Sequence, residues 1–283
     1  MPASVLNLVR HDEETFEGRA GVKLFSQSWI PEGSKKAALV IVHGLHDHSG
    51  RYAWVAEELA KRGYAIYGFD LRGHGKSEGK SQWVDSFDDY LEDLGRFVKL
   101  VQIKEPGKPL FIFGFSMGGN IVASYALGNK SGINGIILMG PALKPPASRV
   151  VVLLLKLLGS LLPNLGVVRP PSKDFSRDQN VVAEMEKDPL ISKKPVPART
   201  LLGILRTGEK ILSKAESFDM PFLVMHGTAD KLASPEGSKL LNERSHSADK
   251  TLKLYEGFYH DLLHEPERQT VLYDMSGWLG KHS

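Results

Sequence analysis

The chain has 283 residues, of which 42% are hydrophobic and 24% charged, a size and composition typical of one large α/β domain with an insertion. Its 36 basic and 33 acidic residues give a formal net charge of +3 without a long run of either sign, which argues against nucleic acid as a partner. Because it contains no cysteine, the chain cannot form a disulfide framework, a thiolate nucleophile or a cysteine-ligated metal site.

The amino-terminal residues 1–12 lack the apolar run that a secretory signal peptide needs. Nothing in the composition demands an oxidising compartment either. We therefore expect a cytoplasmic protein.

Strand and helix patterns alternate along most of the chain. Patterns typical of strands cover residues 22–29, 37–42, 65–69, 110–114, 133–139, 222–225 and 251–255. Helical periodicity covers residues 52–62, 87–101, 117–127, 235–245 and 266–279. This alternation predicts an α/β fold with a mostly parallel central sheet flanked by helices. Sheets of this kind bind their ligands beyond the carboxyl ends of the strands.

Two turns near the amino terminus contain residues that suggest a metal or a nucleotide. His43, His46 and His48 lie close together after a strand, but no further ligands follow at zinc-type spacing. Residues 72–77 end in Gly-Lys-Ser, but the upstream glycine of a phosphate-binding loop is missing. We expect neither a metal nor a cofactor.

The pattern Gly-x-Ser-x-Gly at residues 114–118 directly follows an apolar strand and precedes a helix. A sharp strand-to-helix turn of this kind strains the serine backbone and needs small residues at Gly114 and Gly118. The turn would present Ser116 Oγ above the sheet at the positive end of the next helix. We interpret it as a nucleophile elbow.

The alternation of strands and helices stops between residues 141 and 219, which we interpret as a helical cap inserted between two parts of the core, residues 1–140 and 220–283. Residues 150–162 are its most apolar segment, but Lys156 and Gly159 interrupt a stretch already shorter than the ~20 residues of a membrane span. Two hypotheses remain for this segment. In the first, its apolar face packs on the core; in the second, part of it lines a lipid-accepting entrance or makes peripheral contact with a membrane. Both can hold together, because an apolar helix has more than one face.

Two further polar residues each follow a predicted strand. Asp230 comes after strand 222–225, and His260 comes after strand 251–255 and a glycine turn. The chain order Ser116, Asp230, His260 is the order of a nucleophile, an acid and a base on a sheet of this type. Asp261, the neighbour of His260, is an alternative acid, but adjacent residues rarely suit this hydrogen bond, so Asp230 is the stronger candidate.

These residues predict acyl transfer. Asp230 would orient His260, which takes the Ser116 proton during attack on a carbonyl and then protonates the leaving alcohol, and water would release the acyl group. The oxyanion needs two fixed N–H donors. We predict the backbone N–H groups of Met117, directly after the nucleophile, and of Leu45, in the turn after strand 37–42.

Several motifs together resemble monoacylglycerol lipases of the α/β-hydrolase superfamily, within its serine aminopeptidase S33-like and lysophospholipase-like branch. The similar segments are residues 43–52, 69–79, 114–119, 161–165, 188–191 and 250–257, together with the segments around Asp230 and His260. They extend over nearly the whole chain, including the predicted cap.

The resemblance implies hydrolysis of a lipid substrate, a monoacylglycerol, to a fatty acid and glycerol without a cofactor. It also implies a polar pocket for glycerol. Asp47 matches the family's acidic residue with a shorter side chain, and Arg51 matches its arginine. The family's histidine position is occupied here by Leu263, so His264, one residue further on, is the candidate.

Two alternatives remain open. The same three residues would serve a lysophospholipase, a broader carboxylesterase or an acyltransferase. A fold of this type can also act as a non-catalytic ligand-binding protein, since fold does not determine function.

Overall fold

The computed structural model describes residues 9–129 and 131–283, and this part of the chain contains a central sheet of eight strands and a separate two-stranded sheet. The strands are β1 (Val9–Glu17), β2 (Lys23–Pro31), β3 (Ala37–Val42), β4 (Tyr64–Phe69), β5 (Leu110–Phe115), β6 (Gly135–Met139), β7 (Gly166–Val168), β8 (Val196–Pro197), β9 (Phe222–Gly227) and β10 (Lys250–Tyr255). The central order is β1-β2-β4-β3-β5-β6-β9-β10. Pairing is parallel from β4 to β10 and antiparallel between β1 and β2 and between β2 and β4. The mostly parallel sheet predicted from the sequence is confirmed.

Helices cover both faces of the central sheet. They are α1 (Ala53–Ala60), α2 (Phe87–Lys104), α3 (Met117–Gly128), α4 (Arg149–Leu161), α5 (Gln179–Lys187), α6 (Ala198–Ser213), α7 (Pro235–Arg244) and α8 (Arg268–His282). Successive side chains of a strand point to opposite faces. Leu39 and Ile41 of β3 therefore pack with α1 and α8, while Val40 and Val42 pack with α2 and α3. This burial on both sides explains the continuous apolar runs of the central strands.

The register of the sheet brings several strand ends together. Val42 of β3 lies opposite Gly114 of β5, and Met139 of β6 lies opposite both Phe115 of β5 and Met225 of β9. The turns that follow β3, β5, β6 and β9 therefore begin at the same edge, which positions the candidate site.

All the strands and helices predicted for the core are present, with bounds that differ by three residues or fewer. Strand β1, which pairs with β2 along the sheet edge, was not predicted from the sequence. Its side chains are exposed or half-buried, so it lacks the apolar alternation of a strand that packs on a core. Residues 1–8, the larger part of the segment inspected for a signal peptide, lie outside the described residues.

The segment predicted as an insertion, residues 141–219, contains α4, α5, α6 and the two-stranded sheet of β7 and β8. The two short strands β7 and β8 were not predicted from the sequence, because each is too short for a period-two pattern. Helix α4 packs on α6 through Gly159, where a Cβ would lie 2.5 Å from Leu202 Cβ. On another face, Val150, Leu153, Leu154, Leu157 and Leu161 are exposed. We refer to these five residues as the apolar face of α4.

Within residues 9–129 and 131–283, no helix combines the length and the hydrophobicity needed to cross a bilayer.

Candidate active site

Ser116 lies in the turn between β5 and α3, with φ 53° and ψ −116°. A non-glycine residue in this region is strained and persists only where its surroundings hold it in place. The flanking glycines allow the turn to close: a Cβ on Gly114 would lie 2.5 Å from Gly118 O, and a Cβ on Gly118 would lie 2.2 Å from Val42 O. The backbone is therefore that of the nucleophile elbow predicted from the sequence.

Ser116, His260 and Asp230 form one hydrogen-bonded chain. His260 Nε2 lies 2.8 Å from Ser116 Oγ, and His260 Nδ1 lies 2.6 Å from Asp230 Oδ2. Asp261, the alternative acid, instead contacts Arg51 and His264. The three residues predicted from chain order are thus brought together, and the geometry favours Asp230 over Asp261 as the partner of His260.

Asp230 is held by further donors in the loop after β9. The backbone N–H groups of Leu232 and Ala233 donate to Oδ1 over 2.7 and 2.9 Å, and His226 Nε2 lies 3.0 Å from Oδ2. Burial opposes ionisation of Asp230, but the charge on His260 and the hydrogen bonds from His226 and His260 lower its pKa well below the usual value. Asp230 is therefore a carboxylate at neutral pH.

The turn after β3 is fixed beside Ser116 by His43. Its Nδ1 donates to Gly44 O over 2.7 Å, and its Nε2 accepts from the Leu71 N–H over 2.9 Å. Burial lowers the pKa of His43, so the ring is neutral and these contacts define its tautomer. The turn leads to Leu45, which lines the cavity at Ser116 together with Met117. The two residues predicted to bind the oxyanion therefore adjoin the nucleophile.

Ser116 and His260 line a cavity of about 330 Å³. Residues 141–219 contribute most of its apolar wall, including Leu155, Val168, Phe175, Leu201 and Leu205. Two lysines, Lys144 and Lys231, also line it. A groove of about 480 Å³ between β1 and α2 is larger, but its lining includes neither Ser116 nor His260. We therefore identify the Ser116 cavity as the candidate active site.

The three residues predicted to hold glycerol belong to one buried polar network. Arg51 Nη1 donates to Asp47 Oδ1 over 2.9 Å, and Arg51 Nη2 donates to Asp261 Oδ2 over 3.0 Å. His264 Nδ1 lies 2.9 Å from Asp261 Oδ2, and Tyr52 Oη donates to Asp47 Oδ2. Asp47, Arg51 and His264 are absent from the lining of the Ser116 cavity described above. Their predicted contact with glycerol therefore stays a proposal.

Two of the three histidines considered for a metal site, His43 and His48, have separate partners. His43 bonds to the backbone as described, and His48 Nε2 lies 2.9 Å from Asp188 Oδ2. In the described ranges 9–129 and 131–283, no three His, Cys, Asp or Glu residues are grouped so that they could hold a metal ion.

Two groups beside the hydrogen-bonded chain were not predicted from the sequence as partners of its residues. His226, in the segment before Asp230, was not singled out, and Asp261 was considered only as an alternative acid. The spacing of His226 four residues before Asp230 is a weak signal, because it indicates proximity in a loop but not which atoms meet. The link between Asp261 and Arg51 joins residues 210 positions apart, so no local pattern reveals it.

The buried polar network that contains Arg51, Asp261 and His264 predicts that the stability of the folded protein depends on pH through Asp261. Burial opposes its ionisation, but the charges on His264 and Arg51 lower the pKa of Asp261 from 3.8 to about 2. The stabilisation is present above pH 3.8 and is lost as the pH falls toward about 2, a loss of about 2 kcal/mol. Urea denaturation across this range should show that Asp261→Asn loses less unfolding free energy on acidification than the wild type. The exposed Asp85→Asn is the control, and parallel curves for Asp261→Asn and wild type would contradict the expectation.

The fold and the arrangement of Ser116, Asp230 and His260 are those of an α/β-hydrolase. The family model described as "Serine aminopeptidase, S33" matches residues 33–267. The monoacylglycerol lipase of Mycolicibacterium smegmatis is 34% identical over 95% of this chain and 97% of that protein. The monoglyceride lipase of Rattus norvegicus is 36% identical over 92% of this chain and 87% of that protein.

A solved structure gives the same result at the level of the fold. It is a soluble variant of the Saccharomyces cerevisiae monoglyceride lipase in complex with a substrate analogue, with a TM-score of 0.86 and 28% identity over 100% of this chain and 98% of that chain. The chain belongs to the serine aminopeptidase S33 family and is a hydrolase. The resemblance to monoacylglycerol lipases seen in the sequence motifs is confirmed.

Proposed function

We propose that this enzyme hydrolyses the carboxylic ester of monoacylglycerols to a free fatty acid and glycerol, with Ser116 as the nucleophile. The observation that carries the proposal is the hydrogen-bonded chain from Asp230 through His260 to Ser116 Oγ, which ends in a largely apolar cavity. The similarity to monoacylglycerol lipases over most of the chain supports the choice of substrate.

In the proposed mechanism His260 accepts the Ser116 proton as Oγ attacks the ester carbonyl. The contact of 2.8 Å between His260 Nε2 and Ser116 Oγ suits this transfer. The same nitrogen then protonates the glycerol oxygen as the C–O bond breaks, which leaves the acyl group on Ser116. His260 next takes a proton from water, and the resulting attack releases the fatty acid and restores the Ser116 hydroxyl.

The backbone N–H groups of Leu45 and Met117 are proposed to stabilise the negative charge that develops on the carbonyl oxygen. Met117 is the first residue of α3, where backbone N–H groups are free of helical partners and the helix dipole is positive. The loss of one such donor costs a hydrolase about 3 kcal/mol of transition-state stabilisation, so the turn that His43 fixes would matter for the rate.

The two ends of the substrate are assigned to different parts of the site. Residues 141–219 act as a cap in this proposal, and their apolar side chains in the cavity wall receive the acyl chain. Asp47, Arg51 and His264 are proposed to form the glycerol end. His264 is the most accessible of the three, with 15% of its side-chain surface exposed. Comparison of substrates with one acyl chain and different head groups tests this assignment.

Two assays of the purified protein test the proposed function. A fluorophosphonate probe should label the wild type, since an activated serine reacts with it, and chromatography should detect both fatty acid and glycerol after incubation with a long-chain monoacylglycerol. Labelling without product would overturn the substrate assignment. Failure of both assays would favour a non-catalytic ligand-binding protein.

A lysophospholipid is the second candidate substrate. Lys144 and Lys231 line the Ser116 cavity, and cations there would favour a head group that contains phosphate. Lys231 is only loosely paired, with Nζ 4.0 Å from Asp174 Oδ1. The triad chemistry would be identical, so only the head-group preference separates the two candidates.

The apolar face of α4 is proposed to contact the membrane from which the substrate comes. Its one valine and four leucines are 49–67% exposed at Val150, Leu153, Leu154 and Leu157 and 75% exposed at Leu161. Leu155 of the same helix lines the Ser116 cavity, so the helix connects the proposed membrane surface with the acyl site. Contiguous apolar patches are uncommon on free surfaces and often mark membrane or protein contacts.

Charge on this face should weaken membrane binding. Leu154→Asp and Leu157→Asp should each lower the vesicle partition coefficient, measured by co-sedimentation, by about tenfold, since each removes a leucine from the lipid interface. Ile103→Asp on α2 is the matched control, because Ile103 is 76% exposed outside this face. Equal binding of all three variants and the wild type would rule out this surface.

A further inference from the structure

A second histidine contacts the aspartate of the hydrogen-bonded chain. His226, at the end of β9, is completely buried, and its Nε2 lies 3.0 Å from Asp230 Oδ2. His260 Nδ1 lies 2.6 Å from the same oxygen. One carboxylate oxygen therefore serves two imidazole rings, and only one of them belongs to the mechanism described above.

The surroundings of His226 define which of its nitrogens carries hydrogen. Besides Asp230 Oδ2, Nε2 lies 3.2 Å from the carbonyl oxygen of Ala233. Both neighbours are acceptors, so Nε2 must be the donor. On the other side of the ring, Nδ1 lies 2.7 Å from the hydroxyl of the fully buried Ser238 in α7. A ring with one proton satisfies all these contacts when the Ser238 hydroxyl donates to Nδ1.

With these bonds Asp230 has a complete set of donors. Two backbone N–H groups donate to Oδ1, and His226 and His260 donate to Oδ2. An ionised carboxylate accepts about four hydrogen bonds, so loss of any donor leaves a lone pair unmatched in a site without water access.

We propose that His226, oriented by Ser238, is a positioning residue that orients the Asp230 carboxylate and limits how strongly it attracts the proton of His260. The inference rests on the proposed roles of Ser116, Asp230 and His260. Without the N–H donor of His226, the Asp230 Oδ2 atom presents more negative charge to His260. This charge favours the imidazolium form of His260 over its neutral form. The neutral ring is the form that accepts the Ser116 proton, so activity should then require a higher pH.

The other groups around His260 stay the same when residue 226 changes. Asp261 acts on it electrostatically, and its own charge is held by Arg51 and His264. The rings of Phe115 and Phe175 pack against His260 without adding charge. Lys144 and Lys231, which line the same cavity, are also unchanged in these variants. A shift in the pH profile of a residue-226 variant therefore reports on Asp230.

The test is the pH profile of kcat/KM for a short p-nitrophenyl ester, which needs no lipid pocket, with active enzyme counted by fluorophosphonate titration. His226→Phe keeps a planar ring and removes the donor. We expect kcat about tenfold lower and the acid limb of the profile moved up by about half a pH unit or more. His226→Gln can present an amide N–H to the same oxygen and should return the limb toward the wild-type position.

Ser238→Ala is the second variant, and it keeps the test decisive if His226→Phe does not fold. It retains the ring and removes only the hydroxyl that donates to Nδ1, so it should move the limb in the same direction by a smaller amount. An unmoved limb in the folded variants would overturn the proposal. A limb that moves equally in His226→Phe and His226→Gln would also overturn it, because shape rather than the hydrogen bond would then be responsible.

Ser116→Ala in the same assay separates this inference from the proposed function. Full activity of Ser116→Ala would overturn the proposed function itself. An inactive Ser116→Ala together with an unmoved limb in His226→Phe would overturn only the role of His226.

Discussion

Replacement of Ser116 by alanine is expected to lower kcat/KM by at least about ten-thousandfold on every ester that the enzyme hydrolyses. The variant lacks Ser116 Oγ, the atom that forms the covalent bond to the acyl group in the proposed mechanism. Removal of the nucleophile from a serine hydrolase has an effect of this size or larger. The residue keeps its backbone atoms, so the elbow should survive with the Ser116 N–H still bonded to Met139 O. Steady-state hydrolysis with circular dichroism as the folding check measures this effect.

Ser213→Ala is the matched control, because Ser213 is exposed at the end of α6 and bonds only within its own helix turn through Lys210 O. It should keep wild-type activity. If Ser116→Ala remained as active as Ser213→Ala, the nucleophile would be another residue and the mechanism would be wrong.

The second large effect is expected from Gly118→Ala. A Cβ at this position would lie 2.2 Å from Val42 O and 2.4 Å from His43 O, and both are backbone atoms that cannot move without shifting β3. Alanine normally stabilises a helix relative to glycine by about 1 kcal/mol, but here the clash should dominate and cost about 3 kcal/mol of unfolding free energy. The displaced elbow and turn should also lower kcat at least about a hundredfold, because both the nucleophile and the oxyanion donors depend on this contact.

Gly128→Ala provides the comparison within the same helix. Apart from its chain neighbours and the helix's own backbone, no atom of the described residues lies within 4 Å of a Cβ built at Gly128, so this variant should be as stable as the wild type or slightly more stable. Chemical denaturation and ester hydrolysis of the two variants measure the difference. A Gly118→Ala protein with the stability and activity of Gly128→Ala would contradict the close packing of β3 against the elbow.

Much of the core could be predicted from sequence because its signals are local. Strands β3, β4, β5, β6 and β9 are buried on both faces, so they read as continuous apolar runs, and the Gly-x-Ser-x-Gly pattern at residues 114–118 lies within a single turn. Strand β1 gave no such signal, since it adds to the sheet edge through backbone hydrogen bonds that any sequence can make.

The polar part of the site shows the opposite case. Three residues that each follow a strand could be proposed as a triad, and the structure brings their side chains within hydrogen-bond distance. The partners of those side chains could not be read from the sequence. Asp261 meets Arg51 only because the turn after β10 folds back over the turn after β3, and His226 meets Ser238 only because α7 packs beside β9. Contacts of this kind depend on tertiary packing, which leaves no period or spacing in the chain.

We expect the site to prefer a monoacylglycerol over other esters. This preference is tested by kcat/KM of the wild type for a long-chain monoacylglycerol, measured beside a lysophospholipid with the same acyl chain and a short p-nitrophenyl ester. We expect the monoacylglycerol to be hydrolysed at least about tenfold more efficiently than the lysophospholipid, a difference of about 1.4 kcal/mol in transition-state binding. A preference for the lysophospholipid, or equal efficiency on the short ester and both lipids, would contradict the proposed monoacylglycerol specificity.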